Sequence, residues 1–212
     1  MLDLILLDRL SKLRDQDASN RLRLKPEVPI SVTIDGADGI QEIIQGRMDW
    51  ALNYETQRAA PGSILIIWEA KRIGYALTGM PQLLVYMAGV LESRRNRINQ
   101  SVFGALSDSG TYVFAFLDRE KKFYTSKPYS WRNDQSTILA YIDAILLDAI
   151  ESSHTTPTKA ENTILLNYQR YLKERWTFGN EPEDESIDDI DPQTIVDVGQ
   201  DMVLRPVGKE EP

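Results

Sequence analysis

Residues 63–71, SILIIWEAK, place large apolar side chains at consecutive positions rather than at every second one. Side chains alternate across a strand, so a run that is apolar on both parities must be covered on both faces. This stretch therefore demands a sheet with a layer of structure on each side. It also ends on a contradiction, because Glu69 and Lys71 stand two apart and share one face of the most apolar strand in the chain. An unpaired ion in such a place costs on the order of several kcal/mol. Opposite charges kept there imply a chemical task.

The flanking sequence supplies the other elements. MLDLILLDRLSKLRD has the apolar spacing of an amphipathic helix, with Asp3 and Asp8 inside it, and is not built as a signal peptide. Residues 21–34 read as an extended segment whose Pro26 and Pro29 place it at an edge or a bulge. After the turn DGADG, residues 42–54 form a second strand, in which Gly46 marks a bulge or a close backbone approach. Alternation puts Asp49 on a face with Ala51 and Asn53, and Met48, Trp50 and Leu52 on the other. Trp50 and Trp68 are expected in the core.

Residues 79–97 read as a helix opened by Pro81 and closed by the basic cluster ESRRNR. SVFGALSD and TYVFAFLD follow as two strands joined by SDSG, and helices are expected at 136–152 and 159–176. The apolar helix 136–152 suits either the core or a homodimer face. Helix, three strands, helix, two strands and further helices make a mixed sheet flanked by helices, in the α/β or α+β class.

Composition narrows the chemistry. With 212 residues the chain has room for one domain with a sizeable core. The absence of cysteine excludes disulfides, thiol nucleophiles and Cys-ligated metals, and suits an intracellular setting. The single histidine, His154 in SSHTTPT, excludes sites built on two imidazoles and reads as a loop residue. No apolar run approaches a membrane span, so no membrane partner is expected.

The net charge of −8 is unevenly spread. Residues 180–212 hold eleven acids against Arg205 and Lys209, whereas residues 71–132 hold ten Lys or Arg against four acids. The expected organisation is one domain over 1–179 and an acidic tail over 180–212, available to cover a basic groove or to meet a protein partner. ESRRNR reads either as a solvated helix end or as a phosphate-contacting patch. LDREKKFYTSKPYSWR mixes basic and aromatic residues in a way that suits nucleic-acid contact or an ordinary strand and turn.

If the second and third strands are neighbours, Asp49 falls beside Glu69 and Lys71. Two carboxylates and an ammonium then share a small volume, where a hard divalent cation would relieve the repulsion between the acids. GRMDWALNY followed by SILIIWEAKR resembles the Asp and Glu-x-Lys core of the PD-(D/E)XK, or restriction endonuclease-like, nuclease superfamily. Gln82 and Tyr86, on one helical face, resemble the Gln-x-x-x-Tyr motif of its RecB-like branch. Uncharacterised fungal domains of the superfamily carry a similar pattern.

The resemblance covers about residues 1–117 and implies a core of helix, three strands, helix and strand. It implies Mg²⁺ or Mn²⁺ held by Asp49, Glu69 and the Ala70 carbonyl, Lys71 as catalytic lysine, and Gln82 and Tyr86 in support. The function implied is metal-dependent hydrolysis of phosphodiester bonds in DNA, with RNA second. The alternative is an inactive nuclease-fold module that binds nucleic acid or protein. Many members add a first-helix acid; here the candidates are Asp3 and Asp8, with Glu27 and Glu42 elsewhere.

Overall fold

The computed structural model describes residues 2–14, 22–35, 41–54, 61–94, 100–151, 175–178 and 203–206. In chain order these form α1 (Leu2–Arg14), β1 (Leu22–Asp35), β2 (Gln41–Tyr54), β3 (Ile64–Ala70), α2 (Met80–Ser93), β4 (Val102–Ser107), β5 (Thr111–Leu117), β6 (Phe123–Thr125), β7 (Tyr129–Ser130), α3 (Trp131–Glu151) and β8 (Val203–Pro206). The fold is α+β. His154 and the expected helix 159–176, apart from its end, lie outside the described residues.

The strands make one mixed sheet in the order β1-β2-β3-β4-β5-β6, with β7 paired to β5 and β8 to β2. Among the described strands only β3 and β4 run parallel. A parallel pair needs a long crossover, which α2 supplies. The proline-bearing β1 occupies an edge, where a missing N–H leaves no gap in a ladder.

As the consecutive apolar run requires, β3 is covered on both faces: Ile64 to Trp68 are all buried. Leu65, Ile66 and Trp68 face a core shared with α1, α3 and Trp176, while Ile64 and Ile67 face a core beneath α2. Leu65 and Ile66 fall on the same side because the β2–β3 register slips beside them, between Leu52 and Asn53. Element α3 is kinked at Asp134, whose φ of −119° and ψ of 24° are not helical, so the helix expected at 136–152 follows the kink; its Ile138, Ile142, Ile145, Leu146 and Ala149 are core.

Two readings require correction. Met48 lies in the core beneath α2, whereas Trp50 and Leu52 contact the opposite core, so these three do not share a face. The cause is local: Glu27 adopts φ +49 and the ladder omits the Glu27–Asp49 pair, so alternation breaks there although the register resumes unchanged. Trp50 is accordingly only partly buried, while Trp68 is fully so. Gly46 is no bulge, since its pairing with Ile30 continues the register. Within residues 180–212, Val203–Pro206 pairs with Glu42–Gln45 of β2.

Candidate active site

On the side away from β1, strand β2 is paired by β8 up to Gln45 and by β3 from Trp50 onward. Residues 46–49 lie between these ladders. Two side-chain contacts take the place of strand pairing there. The Tyr86 hydroxyl accepts the Arg47 N–H at 3.2 Å, and Asp49 Oδ2 accepts the Ala70 N–H at 2.7 Å. The interruption lets side chains from β2, β3 and α2 meet.

Glu69 is 0 % exposed. Its Oε2 stands 3.5 Å from Lys71 Nζ, and its buried Oε1 has no hydrogen-bond partner among the described residues. Burial, reinforced by the neighbouring Asp49 carboxylate, pushes the Glu69 carboxyl up to about 8; Lys71 opposes this less strongly. At neutral pH and without a cation, Glu69 therefore holds a proton.

Lys71 is positioned chiefly by α2. Its Nζ donates to Gln82 Oε1 at 2.6 Å, while Gln82 Nε2 donates to the Tyr86 hydroxyl at 3.1 Å. The i, i+4 spacing stacks Gln82 and Tyr86 along one helical face. The line Glu69–Lys71–Gln82–Tyr86 thus runs back to the β2 backbone, and the structure brings together all five side chains predicted from sequence.

Two glycines make this approach possible. A Cβ on Gly46 would lie 2.4 Å from the Tyr86 hydroxyl, so this residue marks close approach by a side chain. A Cβ on Gly79 would lie 2.5 Å from Lys71 Cε and 2.9 Å from Leu106 Cδ2. Gly79, whose role the sequence reading missed, is therefore the surface on which the lysine stem rests. Its only sequence signal is a glycine just before a helix, which ordinarily suggests a turn.

No family model, curated protein or solved structure matches this chain. The chemistry must be read from the side chains themselves. Asp49 and the unpartnered Glu69 oxygen suit a hard cation held by two carboxylates and water. Among the described residues no group of three or more acids or imidazoles is arranged to hold a metal. Ala70 engages Asp49 through its N–H, which occupies one of the two carboxylate oxygens.

Among the described side chains, neither remaining candidate for a third acid, Asp8 or Glu27, joins this pair. Helix α1 packs on the sheet face opposite Glu69, and its Asp8 pairs with Lys12 at 2.8 Å. The Asp3 and Glu42 side chains lie outside the described residues. Glu42 is also seven strand positions from Asp49, or about 23 Å along β2. Glu27 stands across from Asp49 but is mostly exposed and pairs with Arg47 at 3.2 Å.

The basic stretch does not form one surface at this site. Arg72 follows β3 at the site end of the sheet, whereas the turn bearing Arg119, Lys121 and Lys122 joins β5 to β6 at the other end. Arg94 is buried and donates to the Ser101 carbonyl at 2.6 Å, which makes it a structural residue rather than part of a phosphate-contacting patch. Helix α2 stops at Ser93, and residues 95–99 lie outside the described residues.

Proposed function

We propose that this protein is a metal-dependent phosphodiesterase built on a restriction endonuclease-like core, with DNA as substrate ahead of RNA. The observation that carries the reading is Glu69: a wholly buried carboxyl with one oxygen unpartnered among the described residues, set beside Asp49 and 3.5 Å from Lys71 Nζ. The chain order helix, three strands, helix, strand supports the same reading. Asp49 and Glu69 would hold Mg²⁺ or Mn²⁺, with the Ala70 carbonyl a further candidate. A bound divalent cation supplies a water of lowered pKa and offsets charge developing on the phosphoryl oxygens.

The chain's own contribution is positional and electrostatic. Lys71 Nζ, held at 2.6 Å from Gln82 Oε1, retains donors to orient the attacking water or meet the phosphate. Gln82 keeps the ammonium from folding wholly onto Glu69, and Tyr86 anchors Gln82 against β2. Burial of Glu69, Gln82 and Tyr86 excludes water from one side of the site and strengthens the interactions made there.

Lys71→Ala should retain the fold yet lose about 10²–10⁴-fold in Mn²⁺-dependent hydrolysis of DNA. Cleavage at the parental rate by that variant rejects the assignment. A second reading, an inactive module that binds nucleic acid or protein, is favoured by the two-acid site and by the Ala70 N–H on Asp49. It is selected if DNA binding is salt-sensitive while neither Mg²⁺ nor Mn²⁺ supports turnover.

A further inference from the structure

Between β3 and α2 the chain displays Ile73, Tyr75 and Leu77, which are 82 %, 59 % and 55 % exposed. The other large apolar side chains exposed among the described residues are Leu4, Leu7 and Leu147, on α1 and α3. Apolar groups on a solvated loop normally turn inward where the backbone permits. Here the backbone is fixed. Buried Asp108, in the β4–β5 turn, accepts the Gly74 N–H at 2.7 Å as well as those of Gly110 and Thr111. Gly74 adopts φ +85, where a side chain would be strained, and the Tyr75 N–H closes onto the Arg72 carbonyl at 2.9 Å. Thr78 caps the loop through its N–H and hydroxyl, both donated to the Tyr75 carbonyl.

We propose that this braced loop is a base-stacking platform, in which Tyr75, flanked by Ile73, receives an unpaired nucleobase next to the scissile phosphate. The proposal rests on the phosphodiesterase reading and extends it to a substrate class: nucleic acid that is single-stranded or frayed at the cleavage point. Three features select this occupant. Tyr75 is four residues from Lys71, so it lies within about 14 Å of the lysine along even a fully extended chain. Residues 70–80 contain Lys71 and Arg72 and no acid, which suits a polyanion. Three side chains also offer far less than the roughly 800 Å² per partner of a stable protein interface, whereas one aromatic ring is matched in size to one base.

The test measures binding of a fluorescein-labelled oligothymidylate, its abasic counterpart and a blunt duplex to full-length Lys71→Ala protein in EDTA, with and without further substitution. Tyr75→Ala should weaken binding of the oligothymidylate about 5- to 100-fold, and Tyr75→Phe should leave it within about twofold. The abasic strand and the duplex should bind equally with or without Tyr75→Ala. Ile73→Ser, at a still more exposed position, should give a smaller loss in the same direction. Unchanged melting temperatures tie these effects to contact rather than folding. If the parent binds the oligothymidylate and Tyr75→Ala binds it equally well, the platform is refuted while the phosphodiesterase reading stands. If the parent binds none of the three probes, the platform is refuted, while the phosphodiesterase reading is decided by the Mn²⁺-dependent hydrolysis assay.

Discussion

Glu69 couples the candidate site to stability through its proton. A carboxyl raised to about 8 in the fold, against an ordinary value of 4.5, is protonated in the native state at pH values where the unfolded chain has released its proton. The stability this confers is fully present below pH 4.5 and is lost as pH rises through 8, on the order of 5 kcal/mol across the window. The melting temperature of metal-free protein should therefore fall over this range relative to Glu69→Gln, which keeps the neutral shape. Parallel pH profiles for the two proteins would refute the coupling. Gly79→Ala should act on function more than on stability. Its φ of −84° suits alanine, but the new methyl displaces the lysine stem and presses on buried Leu106. A misplacement of about 1 Å can cost roughly 10²-fold in rate, so single-turnover cleavage should drop steeply, with a modest fall in melting temperature from the contact with Leu106.

Among the elements, α2 has the narrowest tolerance. It crosses β4 at Gly104, where a Cβ would lie 2.6 Å from Met87 Sδ and 3.0 Å from Leu83 Cδ1. Both side chains are fully buried and have no outward path. Gly104→Ala should therefore lift the helix and cost about 1–3 kcal/mol, seen as a lower urea midpoint with an unchanged slope. Because α2 also carries Gln82 and Tyr86, the same substitution should reduce activity. The opposite end of the helix behaves differently. Arg94, which in sequence belongs to a run of positive charge, spends its guanidinium on the Ser101 carbonyl. Its neighbours in the chain reveal the charge but not the direction in which the helix terminus turns.

At the scale of the whole molecule, the sheet separates what belongs to the site from what does not. Helices α1 and α3 cover one face and are joined by the Arg9–Asp143 ion pair, while the Asp49–Glu69 pair faces α2 on the other. A cation bound by native protein and not by the unfolded chain raises stability by about 2.7 kcal/mol at one hundred times its Kd. Millimolar Mn²⁺ should accordingly raise the melting temperature of the full chain, and Asp49→Asn or Glu69→Gln should abolish that rise. A response that survives both substitutions would place the cation elsewhere.

The sequence by itself determined a mixed sheet flanked by helices, the buried centre strand and the edge placement of β1, because strand burial follows from side-chain parity and proline follows from its missing N–H. Charge on apolar strands also singled out Asp49, Glu69 and Lys71, whereas Gln82 and Tyr86 were singled out by the resemblance of their spacing to a known motif. Tertiary structure alone decided the rest. The break in alternation between Met48 and Trp50 depends on a positive φ in Glu27 on the partner strand. Gly79 acquires its role because Lys71 comes to rest on it, and Arg94 leaves the surface because Ser101 returns beneath it. In each case the deciding contact joins residues brought together by folding, and pattern along the chain carries no record of such approaches.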